Sequence, residues 1–196
     1  MAGPFRTMDP QALIPCKYEV NHGKIFPKIK KLNAQYDIFP SMNQPTEEDL
    51  SFMKQTIKLA ESSGRRDEVP IACILARKGK TLVASGNQKN SKTNPMSHAE
   101  CEVIQEASRV LKNWRLEKTT LYVTTEPCLM CTGLIYAARV PRVVFGCTNP
   151  KGGSLLYIEE RRAELNLNHS VKIISGVMEK EAATLLKNFF QSKRVT

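Results

Sequence analysis

His98-Ala99-Glu100 and Pro127-Cys128-Leu129-Met130-Cys131 are the two short runs whose residue types and spacing could do chemistry. Two cysteines three apart on one helical turn can present both sulfurs to a single ion, and a histidine from a neighbouring helix completes a three-ligand set suited to zinc. A structural zinc site closes its fourth position with protein, whereas three ligands leave that position for water, which argues for catalysis. Bound zinc lowers the pKa of water from about 15.7 to about 7, so a nucleophile becomes available at neutral pH. The reaction then needs a proton carrier, and Glu100, two residues beyond His98, is the candidate. Singly, these residues have plainer readings: a redox dithiol, a structural histidine, a first-turn acid complementing a helix dipole. The combination is far more specific than any one of them.

Both runs are expected to open helices. A first helix starts at Thr46, paired with Asp49 as an N-cap, carries Leu50, Met53, Ile57 and Ala60 at helical spacing, and stops at Gly64. Residues 69–76 and 81–85, separated by Arg77-Lys78-Gly79-Lys80, read as an antiparallel hairpin. Val103, Ile104, Ala107 and Leu111 mark a second helix; strands are predicted over 121–125, 143–145 and 171–174, with a helix over 128–138. Ala182, Leu185, Leu186 and Phe189 give the buried stripe of a closing helix. An opening hairpin followed by parallel strands joined by helices is a three-layer α/β/α domain around a mixed central sheet.

The 196 residues, 41% apolar and 24% charged, are enough for one domain with a real core. Six of the eleven prolines fall within residues 1–45, which lack periodicity, so an irregular or flexible N-terminal extension is expected over 1–45 and the domain over 46–196. The longest uncharged stretch in an apolar context, residues 127–138, is too short to span a membrane, and no apolar run at the N-terminus suits a secretory signal. Six cysteines are too few for a disulfide scaffold, so a reducing compartment, the cytoplasm, is expected. Lys and Arg exceed Asp and Glu by ten, three of that excess in the first 45 residues and seven in the rest, which favours a polyanionic partner through phosphate contacts.

The pairing of H-x-E with P-C-x-x-C is the signature of zinc-dependent nucleobase deaminases. Residues 48–194 resemble the tRNA-specific adenosine deaminases more closely, through Glu68-Val69-Pro70, Ser97-His98-Ala99-Glu100, Leu121-Tyr122-Val123-Thr124, Glu126-Pro127-Cys128-Leu129-Met130-Cys131 and Arg142-Val143-Val144-Phe145-Gly146. The resemblance implies the cytidine deaminase-like fold, one zinc on His98, Cys128 and Cys131, Glu100 as proton shuttle, and contact of Asn87 and Val69 with the target base. It implies attack at C6 of adenine, with inosine as the product and the anticodon wobble position of tRNA as the site. A dimer is implied too, a homodimer or else a heterodimer with a related subunit. The loop 147–154 departs from the bacterial pattern: it is shorter, and Asn149 stands where an Asp is usual. Gly146-Cys147 and Asn149 are similar instead to the catalytic subunit of the eukaryotic enzyme.

On the closing helix Phe190, Lys193 and Arg194 share a face apart from the apolar stripe, a place to stack a base and hold phosphate. Lys151, Arg139 and Arg142 are further phosphate candidates, and His169 is expected at the surface. The nearest rival function is a deaminase of a free base or nucleotide, guanine or cytosine, since the same zinc motif serves those substrates. A non-catalytic zinc-binding partner subunit is the third, and retention of Glu100 speaks against it.

Overall fold

The computed structural model describes residues 44–194; the expected N-terminal extension lies outside the described residues except for its last two positions. Helix α1 (Glu47–Arg65) starts where the sequence caps it: Thr46 Oγ1 accepts the Asp49 N–H at 3.1 Å, and the Asp49 carboxylate accepts the Thr46 N–H at 2.9 Å. Strands β1 (Ala72–Arg77) and β2 (Lys80–Gly86) form the opening hairpin, turning at Lys78 and Gly79, both at positive φ. There follow α2 (Ala99–Leu111), β3 (Thr119–Thr125), α3 (Leu129–Ala137), β4 (Arg142–Cys147), α4 (Leu155–Glu160), β5 (Lys172–Ile174) and α5 (Glu179–Ser192).

The five strands lie in the order β2-β1-β3-β4-β5. β1 is antiparallel to both β2 and β3, whereas β3, β4 and β5 run parallel, so the sheet is mixed as expected. Strand side chains alternate between faces, and here they supply two cores. Cys73, Leu75, Leu121, Val123, Val143 and Phe145 pack with α2 and α3 on one face, while Ile74, Tyr122, Val144 and Ile174 pack with Phe52, Met53 and Ile57 of α1 on the other. Helix α5 joins α1 on that second face.

Four expectations need correction. Helix α4 is absent from the predicted elements, because six residues with no side-chain cap are too short for a periodic signal. Of the stripe on α5 only Ala182 is fully buried; Leu185, Leu186 and Phe189 are half-covered. His169 is no free surface residue: its Nε2 lies 2.9 Å from the Val140 carbonyl oxygen and its ring meets Tyr136 edge-on. Arg142 is no phosphate candidate, because its guanidinium forms two 2.7 Å bonds to the buried carboxylate of Asp49.

Asp49 therefore does more than cap α1. One carboxylate accepts from the Thr46 backbone, the Tyr122 hydroxyl of β3 at 3.0 Å and Arg142 of β4, and so ties the start of α1 to two strands. Burial alone would raise its pKa, but Arg142, Thr46 and Tyr122 override that and hold it well below the usual carboxylate range. In the window between the two pKa values the unfolded state binds the extra proton, so this contribution to stability is full above about pH 5 and declines as pH falls through the ordinary aspartate value of about 3.9. Asp49→Ala, which leaves the Arg142 charge uncompensated, is expected to cost about 3–5 kcal/mol in urea unfolding at pH 7. A loss below 1 kcal/mol would show that the pair does not anchor the helix.

Candidate active site

Helices α2 and α3 begin at one corner of the sheet, α3 directly beyond the C-terminal end of β3. Their N-cap residues are His98 and Cys128, both in extended backbone and neither making a side-chain capping bond. Cap positions usually hold Ser, Thr, Asp or Asn, whose oxygens serve the helix. These two side chains instead face each other across the gap between the helices. His98 Nδ1 lies 3.6 Å from Cys128 Sγ and 3.5 Å from Cys131 Sγ, and the three donor atoms are all within 4.8 Å of one another. A tetrahedron with bonds of about 2.0–2.3 Å has edges of about 3.6 Å, so both the spacing and the nitrogen–sulfur chemistry fit zinc. The N-terminal ends of both helices also turn their positive poles toward this point.

Cys128 accepts a hydrogen bond from Cys131 and faces His98, and its thiol is drawn down to about 5 although burial opposes this. Hydrogen bonding to Cys101 and Cys128, with burial, pushes the Cys131 thiol up. Cys101, three residues after His98 and passed over in the sequence, is buried with its Sγ 3.9 Å from Cys131 Sγ and stands outside the three-donor group. Burial likewise raises the pKa of Glu100, which is only 3% exposed.

A cavity of about 140 Å³ opens beside the donor set, lined among others by Val69, Asn87, His98, Glu100, Cys128 and Asn149. Five residues singled out from sequence thus meet at one place, with Cys131 buried behind them. Phe190, Lys193 and Arg194 do not line it. They close α5 at the surface, where Lys193 forms an ion pair with Asp67, the residue before Glu68.

Two buried carboxylates that sequence reasoning did not single out hold the walls. Glu68 accepts from Asn87 Nδ2 at 3.0 Å and from the backbone N–H groups of Asn90 and Ser91 at 3.1 and 2.7 Å. Because a carboxylate only accepts, that bond fixes which end of the Asn87 amide is nitrogen and leaves its carbonyl end uncommitted. Glu126 accepts from the N–H groups of Asn149 and Leu156 at 3.4 and 3.2 Å, folding the 147–154 loop over the site. The loop comes so close that a Cβ at Gly153 would stand 2.3 Å from Glu126 Oε2, so only glycine fits there. In sequence, the signal for both acids is their place inside the Glu68-Val69-Pro70 and Glu126-Pro127-Cys128 runs.

The model of the MafB19-like deaminase family matches residues 47–194. A tRNA-specific adenosine deaminase of Bacillus subtilis is 40% identical over 147 residues, which cover 75% of this chain and 91% of that protein. The chain belongs to the tRNA-specific adenosine deaminase family. A structure solved in a study of A-to-I editing by tRNA:A34 deaminases at the wobble position of transfer RNA superposes on this deaminase with a TM-score of 0.66 at 37% identity, over 69% of this chain and 99% of the other. Guanine deaminase of Nitrosomonas europaea, at 18% identity and a TM-score of 0.62 over 76% of this chain and 86% of its own, shares the fold.

The site geometry makes a separable pair of predictions. Cys128→Ala should lower zinc content from about one per chain to a small fraction of that in elemental analysis. Glu68→Gln should keep its zinc but lose about 10- to 100-fold in deaminase kcat/KM, since the amide must turn a donor toward one of three N–H groups. Equal zinc loss in both variants would contradict the division of labour.

Proposed function

We propose that this deaminase converts adenosine to inosine in tRNA, at the wobble position of the anticodon. The observation that carries the reading is the small cavity in which Glu100 and Asn87 face the His98, Cys128 and Cys131 donors. At about 140 Å³ it is well below the roughly 300 Å³ of an ordinary small-molecule site, so it takes one base and no more. The base must then leave its stack to enter.

Zinc on His98, Cys128 and Cys131 would supply the Lewis acidity that makes water nucleophilic at neutral pH. Glu100 moves the protons. Its buried carboxylate accepts one from the attacking water, delivers it to N1 of adenine, and passes the next to the departing amine, so adenosine and water become inosine and ammonia. Asn87, oriented by Glu68, offers its carbonyl oxygen to an N–H of the base, and Val69 supports the ring. Phe190, Lys193 and Arg194 at the surface end of α5 hold flanking nucleotides and phosphate, with Lys193 tied through Asp67 to the loop that carries Glu68.

The working unit in this reading is a homodimer, a heterodimer with a related subunit being the alternative. In support, α3 carries no charge and exposes Leu129 (67%) and Met130 (38%), and an apolar hollow of about 440 Å³ lies beside it against Ile158, Leu165 and Leu167. The domain is taken as residues 46–196, preceded by the extension over 1–45. No helix among the described residues is long and apolar enough to cross a membrane. The proposed compartment is the cytoplasm, in keeping with the five free cysteines of the described residues.

Incubation with a tRNA whose anticodon begins with A should yield inosine. Glu100→Ala should slow this about 100- to 10,000-fold while zinc content stays unchanged. Efficient turnover of free guanine or cytosine with tRNA left intact would overturn the reading in favour of a free-base deaminase.

A further inference from the structure

The end of the sheet remote from the cavity carries a cluster of five cations. β1 ends at Arg77, opposite Thr119 at the start of β3, whereas Cys128 and Cys131 follow the other end of β3. At about 3.3 Å per residue the two ends of β3 are about 20 Å apart. Two hollows meet at Arg77, one of about 200 Å³ with Arg115 and Lys118 in its wall, the other of about 330 Å³ with Lys78 and Lys80. Among the described residues none of these five cations has a carboxylate partner, and the Arg77 Nε is buried without any hydrogen-bond acceptor. Glu117 stands in the wall of the first hollow, and Glu48 reaches the Gly79 turn. Beside the cations stands Trp114, 55% exposed, with the Arg115 guanidinium 4.8 Å from its ring centre.

We propose that this face is a second RNA contact, in which the cations hold phosphates and Trp114 stacks an unpaired base. It rests on the reading of tRNA as substrate, which makes RNA the polyanion this chain meets. Charge alone would suit any polyanion; an exposed aromatic ring with a guanidinium at its face adds the stacking that a nucleobase rewards and that a lipid or acidic protein surface does not. Since the cavity accepts only one base, binding strength for a large substrate has to come from surfaces such as this one.

Trp114 is the sole tryptophan of the chain, so its emission reports on this face alone. Titrating full-length tRNA into Glu100→Ala protein, which holds substrate without turnover, should quench that emission. In otherwise native enzyme, Lys80→Gln with Lys118→Gln should raise KM for tRNA about 10-fold at unchanged kcat. The same pair should flatten the dependence of log affinity on log salt by one to two units, about one per lost phosphate contact. Tryptophan emission unmoved while filter binding shows tRNA bound, or an unaltered KM and salt slope in the double variant, would overturn the proposal. Quenching by tRNA that the native enzyme fails to deaminate would sustain this surface and sink the activity reading, so the two fail separately.

Discussion

A tetrahedral ion needs its donors about 3.6 Å apart, and in this chain they come from residues thirty positions apart in sequence. No local structure can meet that demand. It is met by starting two helices at one corner of the sheet and giving their cap positions to His98 and Cys128, whose side chains then serve the space between the helices. The core under that corner must hold the two starts in register. Ala99, Val103 and Ile135, all with essentially no exposure, pack with Leu121, Val123 and Phe145 of the parallel strands to do so. Parallel sheets place ligand sites beyond the carboxyl ends of their strands for this reason: helix starts gather there.

Around the donors, the walls are held by acids rather than by apolar packing. Glu68 accepts backbone N–H groups of the loop after β2, and Glu126 those of Asn149 and of Leu156 in the first turn of α4. Each carboxylate thereby converts a loop into a fixed surface, one presenting Asn87 and the other Asn149. Glu126 borders the cavity too, but its carboxylate, like that of Glu68, is committed to backbone N–H groups, whereas Glu100 lines the cavity with a raised pKa that suits proton exchange. Burial is common to all three; partners decide the role.

Much of this was legible in the chain. The hairpin, the parallel strands and the starts of α2 and α3 follow from periodicity, turn residues and the cysteine spacing, and the five cavity residues from motif and resemblance. What stayed hidden has physical reasons. Arg142 looked like a free cation because its partner Asp49 is 93 positions away and already explained as a cap. Leu185, Leu186 and Phe189 have helical spacing but only Ala182 touches the sheet closely, where its Cβ stands 2.8 Å from the place a Cβ would take on Gly146. Trp114, Arg115 and Lys118 share the connection between α2 and β3, and only the β1–β3 register brings Arg77, Lys78 and Lys80 of the hairpin to the same end of the sheet. Periodicity reports one element at a time, and these features belong to pairs of elements.

The capping box of α1 has a consequence for motion. A helix end normally frays, because its first turn depends on one or two exposed bonds. Here the cap carboxylate is buried and also holds Tyr122 of β3 and Arg142 of β4, so releasing the first turn means breaking into the sheet. Opening at that end of α1 is therefore joined to opening of the central strands. The Asp49 and Leu50 amides, bonded to Thr46, therefore belong with the slow-exchanging class of the domain, where the first turn of a helix ordinarily contributes some of the fastest.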